Sequence, residues 1–515
     1  MKNKNLSWLE NAVFYQIYPQ SFFDTNSDGI GDINGITEKL DYIKDLGCTA
    51  IWINPCFKSP FGDAGYDVED YYTVAPRYGT NDDLVHLFNE AHKKNLHVIL
   101  DLVPGHTSTT CKWFIESQKA QKNPYTDRYV WTDSVWKTPK NMEFIRGIAE
   151  RDGSCVVNFF SHQPALNYGF YNPEPNETWQ QSMESEGPKS TLEELKNIMR
   201  FWLSLGCDGF RVDMASSLVK NDDEKKGTIL LWQNVRKFLD EEFPNAAIVS
   251  EWGEPDKSLE GGFHMDFLLH FGPSHYNDLF RCENPYFSKN GKGSAKEFVK
   301  TYCKNYEKTN GKGLICIPSG NHDMDRLSRS LGVSELKVAF AFLLSMPGVP
   351  FIYYGDEIGM HYVENLKSVE GGYGRTGSRS PMQWNSKVNA GFSAANCEKL
   401  YIPIDCDKNR PDVESQLKDE NSLLNEVKKL IAFRKTHPSL HSLSSIKFYN
   451  ENCDYPLIYE RACETEKILV IINPSSKEVT VSEKTGEILY KVGGNVKINK
   501  NNIQVDGETA VFVKI

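Results

Sequence analysis

The 515-residue sequence lacks an unbroken apolar run of membrane-spanning length. Residues 338–354 form the one run that resembles such a span, but Pro347, Gly348 and Pro350 interrupt it. We therefore predict a buried helix followed by a buried strand. The first ten residues start with basic side chains but have no apolar stretch behind them, unlike a secretory signal. We expect a cytoplasmic protein with no membrane partner.

The sequence also lacks paired cysteines and an excess of positive charge. Its twelve cysteines form no CxxC pair and no zinc-like spacing, so we expect most of them to be small apolar core residues. The 58 Lys and Arg residues are outnumbered by 69 Asp and Glu, which gives a net charge of −11. Because such a chain repels polyanions, we expect no nucleic-acid partner, and a small neutral or cationic ligand fits better. We expect a monomer.

Short apolar runs alternate with helical patterns along most of the chain. The runs are rich in β-branched and aromatic residues, and an alternation of this kind is typical of a parallel sheet wrapped by helices. Helices are predicted between most of the runs, for example at 36–46, 82–94 and 191–205. Eight runs predict an α/β fold, a (β/α)8 TIM barrel. The runs are 13–18, 50–54, 97–103, 209–213, 247–251, 264–268, 314–318 and 349–354.

Two departures from this alternation predict further domains. The third and fourth strands are separated by far more chain than one βα unit needs, which predicts a small domain inserted after strand three, at 107–175. After a predicted helix at 421–436, short alternating strands predict a C-terminal antiparallel β-sandwich over 440–515. The barrel then comprises residues 1–106 and 176–439.

Charged side chains cluster where the predicted strands end, which is the catalytic face of a TIM barrel. Side chains alternate along a strand, so Arg211 and Asp213 point the same way, and we expect the guanidinium to keep Asp213 ionised. Clustered carboxylates repel one another, so at least one keeps its proton near neutral pH. One ionised and one protonated carboxyl is the pattern of glycosidic-bond chemistry. The strand-end residues are Asp101, His106, Arg211, Asp213, Glu251, Asn321, His322 and Asp323.

Four segments in order, DLVPGH (101–106), GFRVD (209–213), the strand-end Glu251 and NHD (321–323), resemble the signature regions of the α-amylase superfamily of glycoside hydrolases. A lone Asp at a strand end is more often a helix cap or loop anchor, but that reading does not explain the whole set. Three further segments narrow the resemblance to the α-glucosidase branch, which includes oligo-1,6-glucosidase. They are YQIYPQSFFDTNSDGIGDINGI (15–36), NPCFKSPFGDAGYDVEDY (54–71) and RSPMQW (379–384).

The resemblance implies a role for each matching residue. Asp213 would be the nucleophile that forms a glycosyl-enzyme, Glu251 the acid and base, and Asp323 the carboxylate that grips sugar hydroxyls. The resemblance also implies sugar-binding residues. His106 and His322 would bind hydroxyls, Tyr66 would stack on the glucose face, and Asp67 with Arg379 would close the pocket over the terminal glucose. A closed pocket implies release of single glucose units from the non-reducing end.

The segment DTNSDGIGD has the oxygen ligands of a calcium loop at alternate positions. They are Asp24, Asn26, Asp28, the carbonyl of Ile30 and Asp32. Position 12 of the pattern is Gly35, so an EF-hand is not expected, but the resembling branch binds a structural Ca²⁺ in this first strand-to-helix loop. The alternative is a set of turns in which Asn and Asp bind their own backbone. No organic cofactor is expected.

Three positions depart from the family pattern. Gly105 replaces the Asn that binds a second calcium in the family, so that second site is expected to be absent. Ala165 replaces Asp in the branch motif QPDLN, and Met214 follows the nucleophile where the branch tends to carry Val or a smaller residue. These changes leave the linkage preference open, and they could move the balance from hydrolysis towards sugar transfer.

The leading hypothesis is a retaining α-glucosidase that hydrolyses short α-linked gluco-oligosaccharides. One alternative is a transglycosidase or isomerase with the same intermediate, such as trehalose synthase or an isomaltulose-forming enzyme. A trehalose-6-phosphate hydrolase also fits the motifs. A non-catalytic partner subunit, like the heavy chains of amino-acid transporters, is disfavoured because the carboxylate triad is intact and no membrane helix is predicted.

Overall fold

Eight parallel strands form the central sheet of the computed structural model, which describes residues 4–449, 454–482, 486–500 and 502–515. The strands are Phe14–Ile17 (β1), Ala50–Ile53 (β2), His97–Leu102 (β3), Gly209–Val212 (β4), Ala247–Ser250 (β5), Met265–Phe267 (β6), Leu314–Cys316 (β7) and Phe351–Tyr353 (β8). In the sheet they run in the order β7, β6, β5, β4, β3, β2, β1, β8. A parallel bridge between Pro318 and Phe351 joins β7 to β8, so the sheet closes and the predicted (β/α)8 barrel is confirmed.

Apolar side chains on both faces explain why these segments form barrel strands. Almost every strand residue is buried, as expected where helices cover one face and the barrel interior covers the other. Aromatic rings pack between strands: Phe14 stacks on Phe351 at 4.4 Å between ring centroids, and Trp52 stacks on Phe267 at 5.8 Å. The barrel interior at these strands is therefore a packed core.

Most helices lie on the outer surface of the barrel between consecutive strands. The helix predicted at 36–46 is split at Lys39, and the helix predicted from 191 begins at Glu186. The α-helices are Ile33–Glu38, Leu40–Leu46, Asn81–Lys93, Lys112–Ser117, Glu186–Ser204, Lys226–Glu242, Pro255–Glu260, Tyr276–Phe280, Lys296–Thr309, Val333–Ser345, Val413–Lys418 and Leu423–Thr436.

The apolar run at 338–354 is divided between two elements, as predicted. The helix Val333–Ser345 ends before Pro347, and the strand β8 begins after Pro350. Within the described parts of the chain, no helix combines the length and the apolar character that a membrane crossing requires.

A separate small layer lies between β3 and the helix Glu186–Ser204. It contains the antiparallel pair Phe144–Arg146 and Ser154–Val156. Its own apolar core consists of Val130, Val156, Ala165 and Phe170, with Trp179 packed against it. Trp179 lies four residues beyond the predicted end of the insertion at 175, so the inserted layer continues towards the start of that helix.

Two antiparallel sheets form the C-terminal region, in agreement with the predicted sandwich. One face of the five-stranded sheet packs on the barrel, and the other packs on the three-stranded sheet through Ile458, Leu469 and Ile471. The five strands, in sheet order, are Ser445–Phe448, Leu457–Ala462, Lys467–Asn473, Thr509–Lys514 and Glu487–Val492. The three strands, in sheet order, are Val479–Val481, Asn502–Val505 and Val496–Asn499.

Candidate active site

The carboxyl ends of the barrel strands surround a cavity of about 370 Å³. Side chains from the strand ends, the insertion and two loops line it. All three predicted catalytic carboxyls are among them, so the geometry brings together residues that are far apart in sequence. The lining residues are Asp63, Tyr66, His106, Phe159, Gln163, Asp213, Met214, Ser216, Glu251, Trp252, His270, Phe271, His322, Asp323, Arg375 and Arg379.

Arg211 joins three carboxyl groups at the buried end of β4. Its Nη1 lies 3.0 Å from Oδ1 of Asp213 and 2.8 Å from Oδ1 of Asp101. Its Nη2 lies 2.9 Å from Oε2 of Glu251. A guanidinium presents a planar fork of donors, so one side chain orients all three carboxyls. The predicted contact between Arg211 and Asp213 is therefore present, and Glu251 shares it.

Asp213 and Glu251 lie side by side on the same guanidinium. Burial and the adjacent Glu251 raise the pKa of Asp213 well above its ordinary value, while Arg211 works in the opposite direction. The expectation that Arg211 keeps Asp213 ionised is not supported, because burial and Glu251 outweigh the guanidinium. The expectation that clustered carboxyls retain a proton agrees with this direction. In general, two adjacent carboxyls that share one proton can supply both a carboxylate and an acid.

Asp323 is surrounded by groups that favour its ionised form. Burial acts to raise its pKa, but His322, Arg379 and Arg375 together hold the pKa of Asp323 below its ordinary value. Its Oδ1 lies 2.7 Å from Nη1 of Arg375 and 3.0 Å from Nη2 of Arg379. Two guanidinium groups thus fix one carboxylate oxygen at the cavity wall.

His322 is held as a neutral ring in one tautomer. Burial lowers its pKa well below the ordinary value. The side-chain amides of Gln16 (3.2 Å) and Asn54 (3.1 Å) approach its Nδ1, and Oδ2 of Asp323 lies 3.1 Å from its Nε2. Two amide donors at Nδ1 place the proton on Nε2, where it is donated to Asp323.

Tyr66 and His106 lie in the cavity wall, where the sequence placed them. The Tyr66 ring stacks on His322 at 5.3 Å, and its hydroxyl donates to Oδ2 of Asp101 at 3.0 Å. Nε2 of His106 lies 3.1 Å from the Tyr66 carbonyl oxygen, and its Nδ1 lies 3.2 Å from the Asn158 amide. Burial lowers the pKa of His106 to about 3, so the ring is neutral.

Asp67 does not belong to this cavity, contrary to the prediction. Its carboxylate accepts hydrogen bonds from the Ser59 hydroxyl (3.0 Å) and from the backbone N–H groups of Gly62 (2.8 Å) and Asp63 (3.0 Å). The carboxylate is thus turned towards its own loop, where it satisfies backbone donors. Asp63 lines the cavity instead, and burial raises the pKa of its carboxyl to about 6.

Arg379 lines the cavity, but its partner is Asp323 and not Asp67. Its Nε also donates to the His322 carbonyl at 2.9 Å. A second guanidinium, that of Arg375, reaches the cavity from the same segment. Sequence reasoning missed Asp63, Gln163 and Arg375. Their positions close in sequence to Tyr66, Ala165 and Arg379, respectively, could have indicated that they lie at the cavity.

Asp266 on β6 fixes the segment around Glu251. Its Oδ1 accepts hydrogen bonds from the Ser250 hydroxyl at 2.7 Å and from the backbone N–H groups of Trp252 (3.2 Å) and Gly253 (3.4 Å). One carboxyl oxygen therefore holds the residues on both sides of Glu251. The strand-end pattern did not indicate this role, because Asp266 lies in the middle of the predicted strand 264–268 and not at its end.

The three positions that depart from the family pattern have clear packing roles. A side chain at Gly105 would approach the Asn158 amide nitrogen to 2.6 Å, so Asn158 occupies that space. Ala165 packs in the small apolar core of the insertion. Met214 lines the cavity, has a left-handed backbone with φ of 43°, and donates its N–H to Oε2 of Glu251 at 3.2 Å.

The Asp24–Asp32 loop satisfies its own backbone. Asp24 accepts hydrogen bonds from the N–H groups of Ser27 (2.7 Å) and Gly29 (2.8 Å), and Asp28 accepts one from Ile30 at 2.8 Å. Asp32 caps the helix that begins at Ile33. Over the described ranges, no group of three His, Cys, Asp or Glu side chains has metal-binding geometry. The turns fit the alternative reading of this loop, and calcium binding stays a prediction.

The barrel, the insertion and the shared carboxyls define an enzyme of the α-amylase family of glycoside hydrolases. Residues 16–442 match the family model that is described as "Alpha amylase, catalytic domain", so the chain belongs to that family.

Two relatives and one solved structure show which kinds of enzyme in the family this chain resembles. An oligo-1,6-glucosidase from Parageobacillus thermoglucosidasius is 32% identical over 94% of this chain and 93% of its own length. A trehalose synthase/amylase from Mycolicibacterium smegmatis is also 32% identical, over 84% of this chain and 77% of its own length. The structure of an isomaltulose synthase mutant from Erwinia rhapontici NX5 in complex with D-glucose superposes with a TM-score of 0.83, at 25% identity and 99% coverage of both chains.

Proposed function

We propose that this chain is a retaining α-glucosidase that removes single glucose units from the non-reducing end of short α-linked gluco-oligosaccharides. The observation that carries the proposal is the bridging of Asp213 and Glu251 by one guanidinium at the cavity. Retaining glycosidases hold their two carboxyls close together, about 5 Å apart, and a shared guanidinium favours that short separation.

The mechanism assigns one role to each member of the pair. Asp213 attacks the anomeric carbon while Glu251 passes its proton to the leaving oxygen, which breaks the glycosidic bond and forms a glycosyl-enzyme. Glu251, now a carboxylate, removes a proton from water, and the water displaces Asp213 with overall retention. Arg211 stabilises whichever carboxylate bears the charge at each step.

Asp323, Asp63 and Arg375 would bind the terminal glucose. Asp323 is ionised and fixed by two guanidinium groups, so it accepts hydrogen bonds from sugar hydroxyls without reorganising. The neutral His322 and the Tyr66 ring offer an apolar face with polar edges, which suits a pyranose ring.

The second candidate is an isomerase or transglycosidase with the same glycosyl-enzyme. The similarity to a trehalose synthase/amylase and to an isomaltulose synthase favours it as strongly as the oligo-1,6-glucosidase favours hydrolysis. The two functions differ in which acceptor meets the intermediate. The phosphorylated-substrate alternative has no comparable support.

Product analysis tests the proposal. The protein is incubated separately with maltose, isomaltose, trehalose and sucrose, and free glucose and new disaccharides are quantified. The proposal predicts free glucose, released first as the α anomer, as the main product of at least one disaccharide. A new disaccharide as the main product would establish the second candidate, and β-glucose as the first product would refute retention.

A further inference from the structure

Two loops outside the barrel strands supply side chains to the cavity. The Asp63 loop comprises residues 59–67, and the Arg375 loop comprises residues 361–379. The loops touch directly: a Cβ added at Gly371 would lie 2.9 Å from the Gly62 carbonyl oxygen and 3.6 Å from Oδ1 of Asp63. The relative position of Asp63 and Arg375 therefore depends on how these two loops are held together.

Arg77 contacts both loops from outside the cavity. Its Nη1 lies 2.6 Å from Oε1 of Glu370, and its Nη2 lies 3.1 Å from Oε2, so the ion pair is bidentate. Its guanidinium also lies over the Phe61 ring, 3.2 Å from the centroid. Glu370 precedes Arg375 by five residues, and Phe61 precedes Asp63 by two. One guanidinium thus joins the loop that carries Asp63 to the loop that carries Arg375.

The body of the barrel fixes Arg77 in turn. Its Nη2 donates to the Tyr78 hydroxyl at 3.0 Å, and Tyr78 is fully buried. The Tyr78 carbonyl accepts the N–H of Ile33 at 3.0 Å, at the start of the first barrel helix. The side chains of Arg77 and Glu370 are only 19% and 13% exposed, so solvent screens their attraction less than that of a surface pair.

The backbone at both contact points is strained. Phe61 has φ of 61° and Glu370 has φ of 46°, the left-handed region that non-glycine residues rarely adopt. Such conformations persist only where surrounding contacts hold them, and they cluster at ligand clamps. Both of these residues contact Arg77, and three other non-glycine residues of the two loops, Ala64, Asn365 and Tyr373, also have positive φ.

We propose that the Arg77–Glu370 ion pair is a positioning device that fixes Asp63 and Arg375 for binding of the terminal glucose. The inference rests on the proposed function, because it assigns these two side chains to the glucose site. The pair acts through the loops and touches none of the reacting atoms. Its loss should therefore weaken glucose binding and leave the chemical step at Asp213 and Glu251 nearly unchanged.

The test compares Glu370→Gln with the unmodified protein. The kcat and KM for p-nitrophenyl α-glucoside and the inhibition constant of glucose are measured, together with thermal unfolding. We expect both KM and the glucose inhibition constant to rise at least about tenfold, with kcat within about threefold, because uniform binding is lost and transition-state chemistry is kept. Arg77→Lys, which keeps the charge but not the bidentate fork, should give an intermediate change.

Glu364→Gln is the matched control. Glu364 lies in the same Arg375 loop and pairs with Arg329 at 2.9 Å, but both side chains are about half exposed, at 54% and 41%. This variant should leave KM, the glucose inhibition constant and kcat unchanged. A rise in KM as large as that of Glu370→Gln would show that any charge in the loop matters, and would overturn the proposal.

Further outcomes separate the inference from the function. A folded Glu370→Gln protein with unchanged KM and glucose inhibition would overturn the inference alone. Cleavage by the unmodified protein of a maltoheptaoside blocked at its non-reducing terminal glucose would refute the proposed function itself. If Glu370→Gln does not fold, Gly371→Ala replaces it, since the added Cβ pushes the same two loops apart. Unchanged KM and inhibition in that variant would equally overturn the inference.

Discussion

Two groups of carboxylates in this chain have opposite surroundings. The strand-end group, Asp213, Glu251 and Asp323, takes most of its partners from guanidinium and imidazole side chains around a cavity. The loop group in Asp24–Asp32 takes most of its partners from nearby backbone N–H groups, with hydroxyl donors such as that of Ser393 beside them. A carboxylate bound by long side chains keeps lone pairs for a ligand, whereas one bound by its own turn is committed to holding the chain.

The largest effect is expected when the carboxylate that is proposed to attack the sugar is removed from the strand-end group. Asp213→Ala deletes the nucleophile, so turnover should fall below detection, while the fold is retained because the cavity already contains open space. Steady-state hydrolysis of p-nitrophenyl α-glucoside measures the effect. A rate close to that of the unmodified protein would remove Asp213 from the mechanism.

Glu251→Gln should produce the next largest loss. The amide cannot donate a proton to the leaving oxygen, so kcat should fall by at least on the order of a hundredfold on disaccharides, as expected when a general acid is lost. A substrate with an activated leaving group should suffer less, because it needs no proton. Equal losses on both kinds of substrate would contradict the role of acid.

The pH profile of kcat/KM should be bell-shaped, because the proposed mechanism needs one ionised and one protonated member of the Asp213–Glu251 pair. At low pH both members are protonated and the nucleophile is lost, and at high pH both are ionised and the acid is lost. In Glu251→Gln, with an activated substrate, the alkaline limb should disappear and the acid limb should remain. An alkaline limb that persists in this variant would assign the proton to another group.

Glu357 is a buried carboxyl outside both groups, and its titration should make the stability of the fold depend on pH. Burial raises the pKa of Glu357 to about 7, while the Tyr42 (2.6 Å) and Tyr15 (2.7 Å) hydroxyls donate to its Oε1. The folded state then binds more protons than the unfolded state between about pH 4.5 and 7. The free energy of unfolding contributed by this group therefore falls as pH rises through that window, by up to about 3 kcal/mol.

Denaturant unfolding of the unmodified protein and of Glu357→Gln between pH 5 and 8 measures this contribution. Gln keeps the acceptor for both tyrosines but cannot ionise, so its unfolding free energy should fall less over the window. Parallel curves for the two proteins would show that Glu357 does not titrate there.

The smallest expected effect concerns the loop group. If Asp24–Asp32 binds the predicted Ca²⁺, a chelator should lower the melting temperature, with little change in kcat at moderate temperature, because the loop lies outside the cavity. Asp28→Asn, which removes one charge from the loop, should reduce that chelator effect. Identical melting curves with and without chelator would remove the calcium prediction.

The site residues that could be predicted best from the sequence are those at or just after the end of a predicted strand. Arg211, Asp213, Glu251 and Asp323 could be placed together because parallel barrel strands end on one face, whatever the loops do. Asp63 and Arg375 could not, since the paths of their loops depend on contacts such as Arg77 with Glu370.

Asp67 was predicted to lie in the cavity because it follows Tyr66 in a matching motif. Its carboxylate instead accepts hydrogen bonds from backbone N–H groups of the loop that contains it. The barrel was predictable from alternating apolar runs, whereas the end of the insertion was not, because Trp179 joins its core through packing alone.

Trapping the covalent intermediate tests directly whether Asp213 is the nucleophile that forms the glycosyl-enzyme. The protein is incubated with 5-fluoro-α-glucosyl fluoride, which slows hydrolysis of the intermediate, then digested and analysed by peptide mass spectrometry. The proposed mechanism predicts one glycosylated peptide, with the sugar on Asp213. Label on Glu251 or Asp323, or turnover without any covalent adduct, would contradict it.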